Sequence, residues 1–186
     1  MGEPTRPLPV KLITGIIAND TALFTQAEKL LTKKFGPADI TSTVFEFDLT
    51  DYYSKEMGDG LKRKFISFER LIPAERLPEC KLAANRLEKK LSSNNDKRDI
   101  NLDPGYITLS KLVLATTKNF AHRIYAGRGI FQEVTLYFKN NTFCAGRWTY
   151  PDYKTDSHIA FFNKVRNKYY EQIEKKYGSS QLYRCV

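Results

Sequence analysis

Three residues in this 186-residue sequence combine groups suited to acid–base chemistry with an aromatic surface. His122 is one of only two histidines, and Glu133 and Trp148 follow it in a segment rich in β-branched and aromatic residues. A carboxylate beside an imidazole orients the ring and favours its charged form, an arrangement used in general acid–base catalysis. We therefore take His122 and Glu133 as the candidate catalytic pair. The alternative is a satisfied cross-strand pair with a structural role.

The pairing depends on three predicted antiparallel strands and on the two turns that join them. Gly127-Arg128 suits a type II′ turn, and Asn140-Asn141 tolerates the positive φ angles of type I′. Turns of two residues fix the register, which sets the histidine, glutamate and tryptophan in one cross-strand row. The predicted strands are 122–126, 130–139 and 142–149.

The same register divides the side chains of these strands between two faces. It pairs Tyr125 with Ile130 and places Arg123 on the opposite face from His122. The face without the catalytic row is expected to pack in the core, and it carries Val134, Leu136, Phe138, Phe143 and Ala145. A bulge near Gly146 would break the row.

Aromatic and acidic residues from two further segments predict a ligand pocket beside this face. One segment is a long polar loop at 50–60, and the other is WTYPDY at 148–153. Rings from these segments would stack on a flat ligand while basic residues hold an anion. Rigid aromatic loops that pack the surface are the alternative. The candidate ligand-binding residues are Tyr53, Glu56, Asp103, Lys118, Arg123, Trp148, Asp152 and Tyr153.

Motif searches favour neither a metal centre nor a phosphate-binding loop. The pattern GxxxxGK[ST] is absent, and two histidines are too few for a histidine-rich metal site. Four carboxylates could hold magnesium, although capping and turn chemistry explains them as well: Asp51, Glu56, Asp103 and Asp152. The sequence therefore predicts no metal site and leaves any cofactor unknown.

The formal charge of +9 favours an anionic partner. A small phosphorylated or nucleotide-like molecule is the first choice; a single-stranded nucleic-acid (RNA) binding module is the alternative, and a non-catalytic interaction scaffold is a third. Because the basic residues are spread along the chain, the nucleic-acid alternative is weakened. The chain has no apolar run of about 20 residues, which argues against a membrane partner. Three cysteines without CxxC spacing predict reduced thiols and a cytoplasmic location.

Hydrophobic patterning predicts one α+β domain at 10–177, between an extended lead-in at 1–9 and a tail at 178–186. We expect an antiparallel sheet that helices cover on one face. A helix begins after its N-cap Asp20 and ends at Gly36. A buried strand is the alternative for the helix at 108–118. Strands are predicted at 10–18, 41–49 and 98–102, and helices at 61–72, 78–91, 108–118 and 155–177.

Four motifs in combination resemble a family of bacterial and archaeal proteins known only as a domain of unknown function. They are FDLTDYYSKEMG, NLDPGYITLSKLVLATTKNFAHRIY, EVTLYF and WTYPDY, and the resemblance runs from about Val10 to Tyr169. Some members carry a GTP-binding label, for which this sequence offers neither a phosphate loop nor an NKxD-type motif. The resemblance implies no established activity, so it transfers no catalytic role to any residue.

Overall fold

One antiparallel sheet with helices packed against it gives an α+β fold, as predicted. A computed structural model describes residues 2–49, 53–93 and 98–179, without the side chains of Ser54 and Lys55. Its strands are β1 (Val10–Ala18), β2 (Ala38–Thr41), β3 (Phe45–Glu46), β4 (Lys62–Ile72), β5 (Ile100–Ile107), β6 (Lys111–Thr116), β7 (Ile124–Gly127), β8 (Ile130–Lys139) and β9 (Thr142–Ala145). Its helices are α1 (Thr21–Phe35), α2 (Ser54–Met57), α3 (Leu77–Leu91) and α4 (Asp156–Tyr177). The strand order is β2-β4-β1-β5-β6-β8-β7, with β3 also on β4 and β9 also on β8.

Strand β1 lies at the centre of the sheet because it is apolar on both faces. All nine of its residues are buried between β4 and β5. Helix α1 follows directly: the Asp20 carboxylate accepts a hydrogen bond from the Ala22 backbone N–H at 2.8 Å. Gly36, with φ of 102°, ends the helix. The predicted strand, helix cap and helix stop are confirmed.

Helices cover both faces of the sheet, so the expectation of one covered face is wrong. Successive residues of a strand point to opposite faces. Leu12 and Ile16 of β1 pack with residues of α1 and α3, whereas Ile13 packs with residues of α4. A strand that is apolar on both faces requires cover on both sides.

Two segments predicted as helices are strands. The segment 61–72 contains β4, and the segment 108–118 contains β6, for which a buried strand was the alternative. Both strands lie inside the sheet with neighbours on each side. Because helices cover both faces of the sheet, apolar residues occupy both faces of these strands: Val113 packs with residues of α1 and α3, and Leu112 with residues of α4. Their sequences therefore lack the alternation that marks a half-buried strand.

The two long helices that follow α1 in the chain, α3 and α4, match their predictions. Helix α3 was predicted at 78–91 and α4 at 155–177, and the α4 stripe of Phe162, Val165 and Tyr169 is buried. Within the three described ranges, no helix combines the length and apolarity needed to cross a membrane. The smaller strands differ in extent, because the segment 41–49 forms part of two short strands and β5 continues to Ile107.

The hairpin between β8 and β9 has the predicted turn and register. Asn140 and Asn141 have φ angles of 52° and 61°, and Leu136 lies opposite Ala145. Strand β9 ends at that alanine instead of continuing to residue 149. Trp148 therefore lies beyond the strand.

The hairpin between β7 and β8 is shifted by one residue from the predicted register. The turn is formed by Arg128 and Gly129, with φ angles of 58° and 75°. Tyr125 consequently lies opposite Phe131. Strand β7 begins only at Ile124, so the two residues before it belong to a turn and do not alternate between faces.

A bulge in β8 overturns part of the predicted core face. The register against β6 shifts between Val134 and Leu136, which leaves Thr135 as the extra residue. Glu133 and Leu136 consequently share the face that α4 covers. Val134 is 57% exposed, and Ala145 is exposed as well, so both were wrongly assigned to the core.

Strands β5 and β6 part halfway along β5. Only Gly105–Ile107 of β5 pairs with β6, although β5 begins at Ile100. A Cβ atom on Gly105 would lie 2.5 Å from the Val113 carbonyl oxygen, which shows how closely the backbones approach at the last pair. Pro104, which has no N–H to donate, stands just beyond that pair. The gap between the two strands forms the site described next.

Candidate functional site

A cleft of about 420 Å³ lies where β5 and β6 part. This volume falls within the range of about 300–1,000 Å³ that is typical of small-molecule sites. Among the described residues, its lining carries five cations, two carboxylates and five phenyl or phenol rings. The cations are Arg63, Lys81, Arg98, Lys118 and Arg123, the carboxylates are Asp103 and Asp152, and the rings are Phe47, Tyr53, Phe120, Tyr150 and Tyr153.

The Glu133 carboxylate lies at the centre of a cluster behind one wall of the cleft. It is almost fully buried, and its Oε2 accepts a hydrogen bond from Arg123 Nε at 2.7 Å. The same oxygen lies 2.9 Å from His122 Nε2 and 3.4 Å from the Tyr150 hydroxyl. Thr135 donates to Oε1 at 3.3 Å. The contact between the histidine and the glutamate is present, although the register from which it was predicted is wrong.

Arg123 links this cluster to the wall of the cleft. Its Nη2 donates to the Tyr150 hydroxyl at 2.7 Å, and its Nη1 donates to the Lys118 carbonyl oxygen at 3.0 Å. Burial works against the arginine charge, but the hydrogen bonds and charge interactions with Glu133 and Tyr150 together outweigh it and raise the pKa of Arg123. Burial and then the Glu133 charge raise the pKa of Tyr150 to about 12, so this phenol stays protonated at neutral pH.

An aromatic stack forms the rim behind His122. The His122 and Trp148 rings are nearly parallel, at 5° and 4.9 Å between centroids. Phe120 meets both rings edge-on, and the Arg147 guanidinium lies 5.0 Å from the Trp148 ring centroid. His122 Nδ1 is buried without a hydrogen-bond partner among the described residues. The stack and Glu133 together fix the imidazole plane.

Arg63 forms the floor of the cleft and is itself buried. Its Nη2 lies 2.9 Å from Asp152 Oδ2, and its guanidinium carbon lies 4.9 Å from the Phe47 ring centroid and 5.4 Å from that of Tyr153. Burial disfavours this charge, but Asp152 and Tyr153 raise the pKa of Arg63, which remains a cation. Within the described part of the chain, Nε and Nη1 have no hydrogen-bond acceptor.

Lys81 reaches the cleft from α3 through the gap between the strands. Its Nζ donates to Asp103 Oδ1 at 3.2 Å and lies 3.9 Å from Glu88 Oε1. Asn101 donates to the other oxygen of Asp103 at 2.5 Å. Burial opposes ionisation of this aspartate, but Lys81 and Arg63 outweigh it and lower the pKa of Asp103.

The mouth of the cleft carries cations next to a phenol ring. Arg98 donates to Glu56 Oε2 at 2.8 Å, and its guanidinium carbon lies 5.4 Å from the Tyr53 ring centroid. Burial, followed by the charge of Asp103, raises the pKa of Tyr53. Burial and the neighbouring Arg123 lower the pKa of Lys118. The mouth therefore offers neutral phenol surface and positive charge.

The structure brings seven of the ten predicted site residues into the lining of one cleft. Glu133 lies behind that lining, Trp148 lies at the rim, and Glu56 is an exposed partner of Arg98. Asp51, considered as a magnesium ligand, lies outside the described residues. The seven lining residues are Tyr53, Asp103, Lys118, His122, Arg123, Asp152 and Tyr153.

Sequence reasoning missed Arg63 and Lys81, the two cations that are most deeply placed in the cleft. Arg63 was overlooked because its strand was interpreted as a helix. Lys81 had a readable signal: Leu77, Lys81, Ala84 and Glu88 follow one another at helical spacing on the buried side of α3. A charge at a core-facing helix position requires a partner, and here the partner is a carboxylate of the cleft.

Magnesium ligation by the cleft carboxylates finds no support in their surroundings. Arg63 contacts both Asp103 and Asp152, and Lys81 contacts Asp103 as well. Across the described ranges, no group of three or more histidine, cysteine, aspartate or glutamate residues is placed to hold a metal ion.

Comparison with known proteins gives a family and no activity. No curated protein and no solved structure matches the chain. A family model described as a domain of unknown function, DUF4416, matches residues 8–169. This match covers the sheet, the cleft and most of α4. The chain therefore belongs to the DUF4416 family.

Proposed function

We propose that the protein binds a small phosphorylated molecule with a flat ring, such as a nucleotide, in the cleft between β5 and β6. The observation that carries this proposal is the convergence of five cations on a cleft with two carboxylates, counted among the lining residues that the structure describes. Asp103 contacts both Arg63 and Lys81, and Asp152 contacts Arg63, so each of these two carboxylates helps to hold the cations around the cleft. Arg98 and Arg123 have their carboxylate partners, Glu56 and Glu133, outside the described lining.

Lys118 and Arg123 are the best-placed pair for a phosphate group. Arg123 Nη1 donates a hydrogen bond to the Lys118 backbone carbonyl oxygen. This bond keeps the two residues close together in the short segment before β7. Glu133 already balances the charge of Arg123, so Lys118 supplies the charge for a phosphate group and the Arg123 guanidinium beside it offers further N–H donors. Arg63 on the floor adds a buried cation with unused N–H groups.

Tyr53 and Tyr150 are the best-placed rings for a flat ligand. Burial raises the pKa of both phenols, so neither carries a negative charge that would repel phosphate. Tyr153 is packed on one face by Phe162, with ring centroids 5.4 Å apart, and serves as floor. Should the bound molecule undergo a reaction, His122 is the candidate proton-transfer group and Glu133 holds its ring.

Single-stranded nucleic acid is the second candidate because of the exposed stack on the rim. Phe120 and Trp148 are 56% and 44% exposed, and Arg147 lies beside them. Nucleic-acid modules stack bases on such rings. Against this candidate, the sheet next to the cleft is covered by helices, so the rings do not extend into a flat open platform.

Calorimetric titration tests the proposal and separates the two candidates. The probes are adenosine and guanosine monophosphate, ribose 5-phosphate and a short RNA strand, each at two salt concentrations. We expect one saturable site for a nucleoside monophosphate. Lys118→Gln should weaken it about tenfold, because a charge-assisted contact is lost, whereas Lys139→Gln at the exposed hairpin tip should leave it unchanged. Tight binding of RNA alone, with a steep salt dependence, would favour the nucleic-acid module.

We retain the cytoplasmic location as part of this proposal. Cys80 and Cys144 are free thiols, which agrees with the reducing compartment predicted from the cysteine count. Cys185 lies outside the described residues.

A further inference from the structure

A second cavity, of about 350 Å³, lies apart from the cleft. It is bounded by the end of α1, the end of β4, one side of α3 and the turn between β7 and β8. Among the described residues, none lines both this cavity and the cleft. Its cationic lining residues are Lys34, Arg70, Arg76, Arg86 and Arg128.

Positive charge in this cavity exceeds the negative charge available to balance it. Glu79 is the one carboxylate in the described lining. It contacts Arg76 at 3.3 Å and Arg128 at 3.4 Å, and so bridges the two sides of the cavity. The remaining cations have no ion pair within the described residues. They are Lys34, Arg70 and Arg86.

The floor of the cavity is apolar. Ile72 and Cys80 are buried, and Phe35 and Leu82 are partly buried beside them. Burial raises the pKa of the Cys80 thiol to about 11. The thiol is therefore protonated at neutral pH and acts as a small apolar group, not as a nucleophile.

We infer that this cavity is a second anion site, for a small molecule that carries two or more phosphate groups on an apolar or flat body. Three cations without counter-charges that face one concave surface repel one another unless an anion lies between them. Two of them are arginines, whose planar N–H groups match phosphate oxygens. The apolar floor gives the body of the ligand a surface to cover.

Calorimetry with inorganic tripolyphosphate tests this site, because the probe carries several phosphates and no ring. The test variant is the double substitution Arg70→Gln with Arg86→Gln. Both side chains are exposed, so their loss leaves the core intact. The control is Lys89→Gln with Lys90→Gln, which removes the same charge from the exposed last turn of α3. Lys118→Gln reports any binding in the cleft.

The expected result is one tripolyphosphate site that the Arg70/Arg86 variant weakens at least about tenfold. The Lys89/Lys90 control and Lys118→Gln should change its affinity by less than about twofold. Equal weakening in both double variants would mean that net charge alone attracts the probe, which overturns the site. Weakening by Lys118→Gln alone would place the probe in the cleft and overturns the site too.

Discussion

The carboxylates of Asp103 and Glu133 are tolerated inside the protein because each meets partners from other elements. Glu133 receives donors from the turn before β7 and from the segment before α4. Asp103 receives Lys81 from α3 and Arg63 from β4. A buried charge without such partners would cost several kcal/mol. Charge pairing thus holds the cleft in shape.

Glu133→Gln tests this role of charge at the level of one residue. The substitution keeps the shape of the side chain but leaves Arg123 without its counter-charge in a partly buried position. We expect it to lower the free energy of unfolding by about 3 kcal/mol, as loss of one partner of a buried pair does. Urea unfolding measures the change.

Glu171→Gln is the matched control for this substitution. Glu171 lies on the exposed side of α4, 3.5 Å from Lys168, with 67% of its side chain exposed. Its substitution should change stability by no more than about 0.5 kcal/mol. If both substitutions changed the free energy of unfolding equally, the buried Glu133 cluster would stabilise the fold no more than an exposed ion pair does.

At the scale of elements, the sequence predicted those strands and helices that carry local signals. Asp20 and Gly36 bracket α1, and Asn140-Asn141 sets the β8–β9 hairpin, because these residues act on the backbone next to them. Strands β4 and β6 were misassigned because they are covered on both faces. Their identity depends on neighbours that are distant in sequence, which periodicity does not report.

Part of the site geometry could not be predicted because it depends on three irregularities of the backbone. The turn lies at Arg128-Gly129, the pairing of β7 with β8 shifts between Tyr125 and Gly127, and the bulge at Thr135 shifts the pairing of β8 with β6. The bulge serves the site: the Thr135 hydroxyl donates to Glu133, and its carbonyl oxygen accepts from Thr149 at 2.5 Å. Seven of the predicted site residues nevertheless line the cleft, because aromatic and charged residues cluster in the segments that meet at the gap.

Gly105→Ala tests the close contact at which β5 and β6 part. The added Cβ would lie 2.5 Å from the Val113 carbonyl oxygen and 2.6 Å from a Leu114 methyl carbon. The Val113 backbone cannot move aside as easily as the end of a flexible side chain. We therefore expect the free energy of unfolding to fall by about 1–3 kcal/mol. Gly146→Ala is the control, since its Cβ meets no atom closer than 3.9 Å. Similar stability of the two variants would contradict the close contact.

At the scale of the whole molecule, α3 connects the two cavities. Glu79, Leu82 and Arg86 lie on one side of the helix and line the second cavity. Lys81 reaches the cleft from another side of the helix. Glu88 lies on that same side, two helical turns further along. The helix therefore supplies charges to both cavities from separate faces.

The stability of the whole protein should depend on acid pH through Asp103. Lys81 and Arg63 lower the pKa of this residue in the folded state against the effect of burial. A carboxyl group with a lowered folded-state pKa stabilises the fold above its unfolded pKa of about 3.9, and this contribution is lost as pH falls through the folded value. Asp103→Asn should therefore be less stable than the natural chain at pH 7.

The stability gap between the natural chain and Asp103→Asn should narrow as pH falls below about 4. Urea unfolding across the acid range measures this gap. Asp59→Asn, a substitution of an exposed aspartate, should show almost no gap at any pH. A gap for Asp103→Asn that stays constant down to acid unfolding would show that its charge does not stabilise the fold.

The fluorescence of Trp148 offers the most direct test that the cleft binds a ligand. Trp148 is the only tryptophan in the chain, and it stacks on His122, which lines the cleft. Titration with a nucleoside monophosphate, corrected for light absorption with free tryptophan, should give a saturable change in Trp148 emission. The same titration of Lys118→Gln should require about tenfold more ligand. Emission that stays constant while calorimetry detects binding, or that saturates identically in the variant, would contradict a ligand in this cleft.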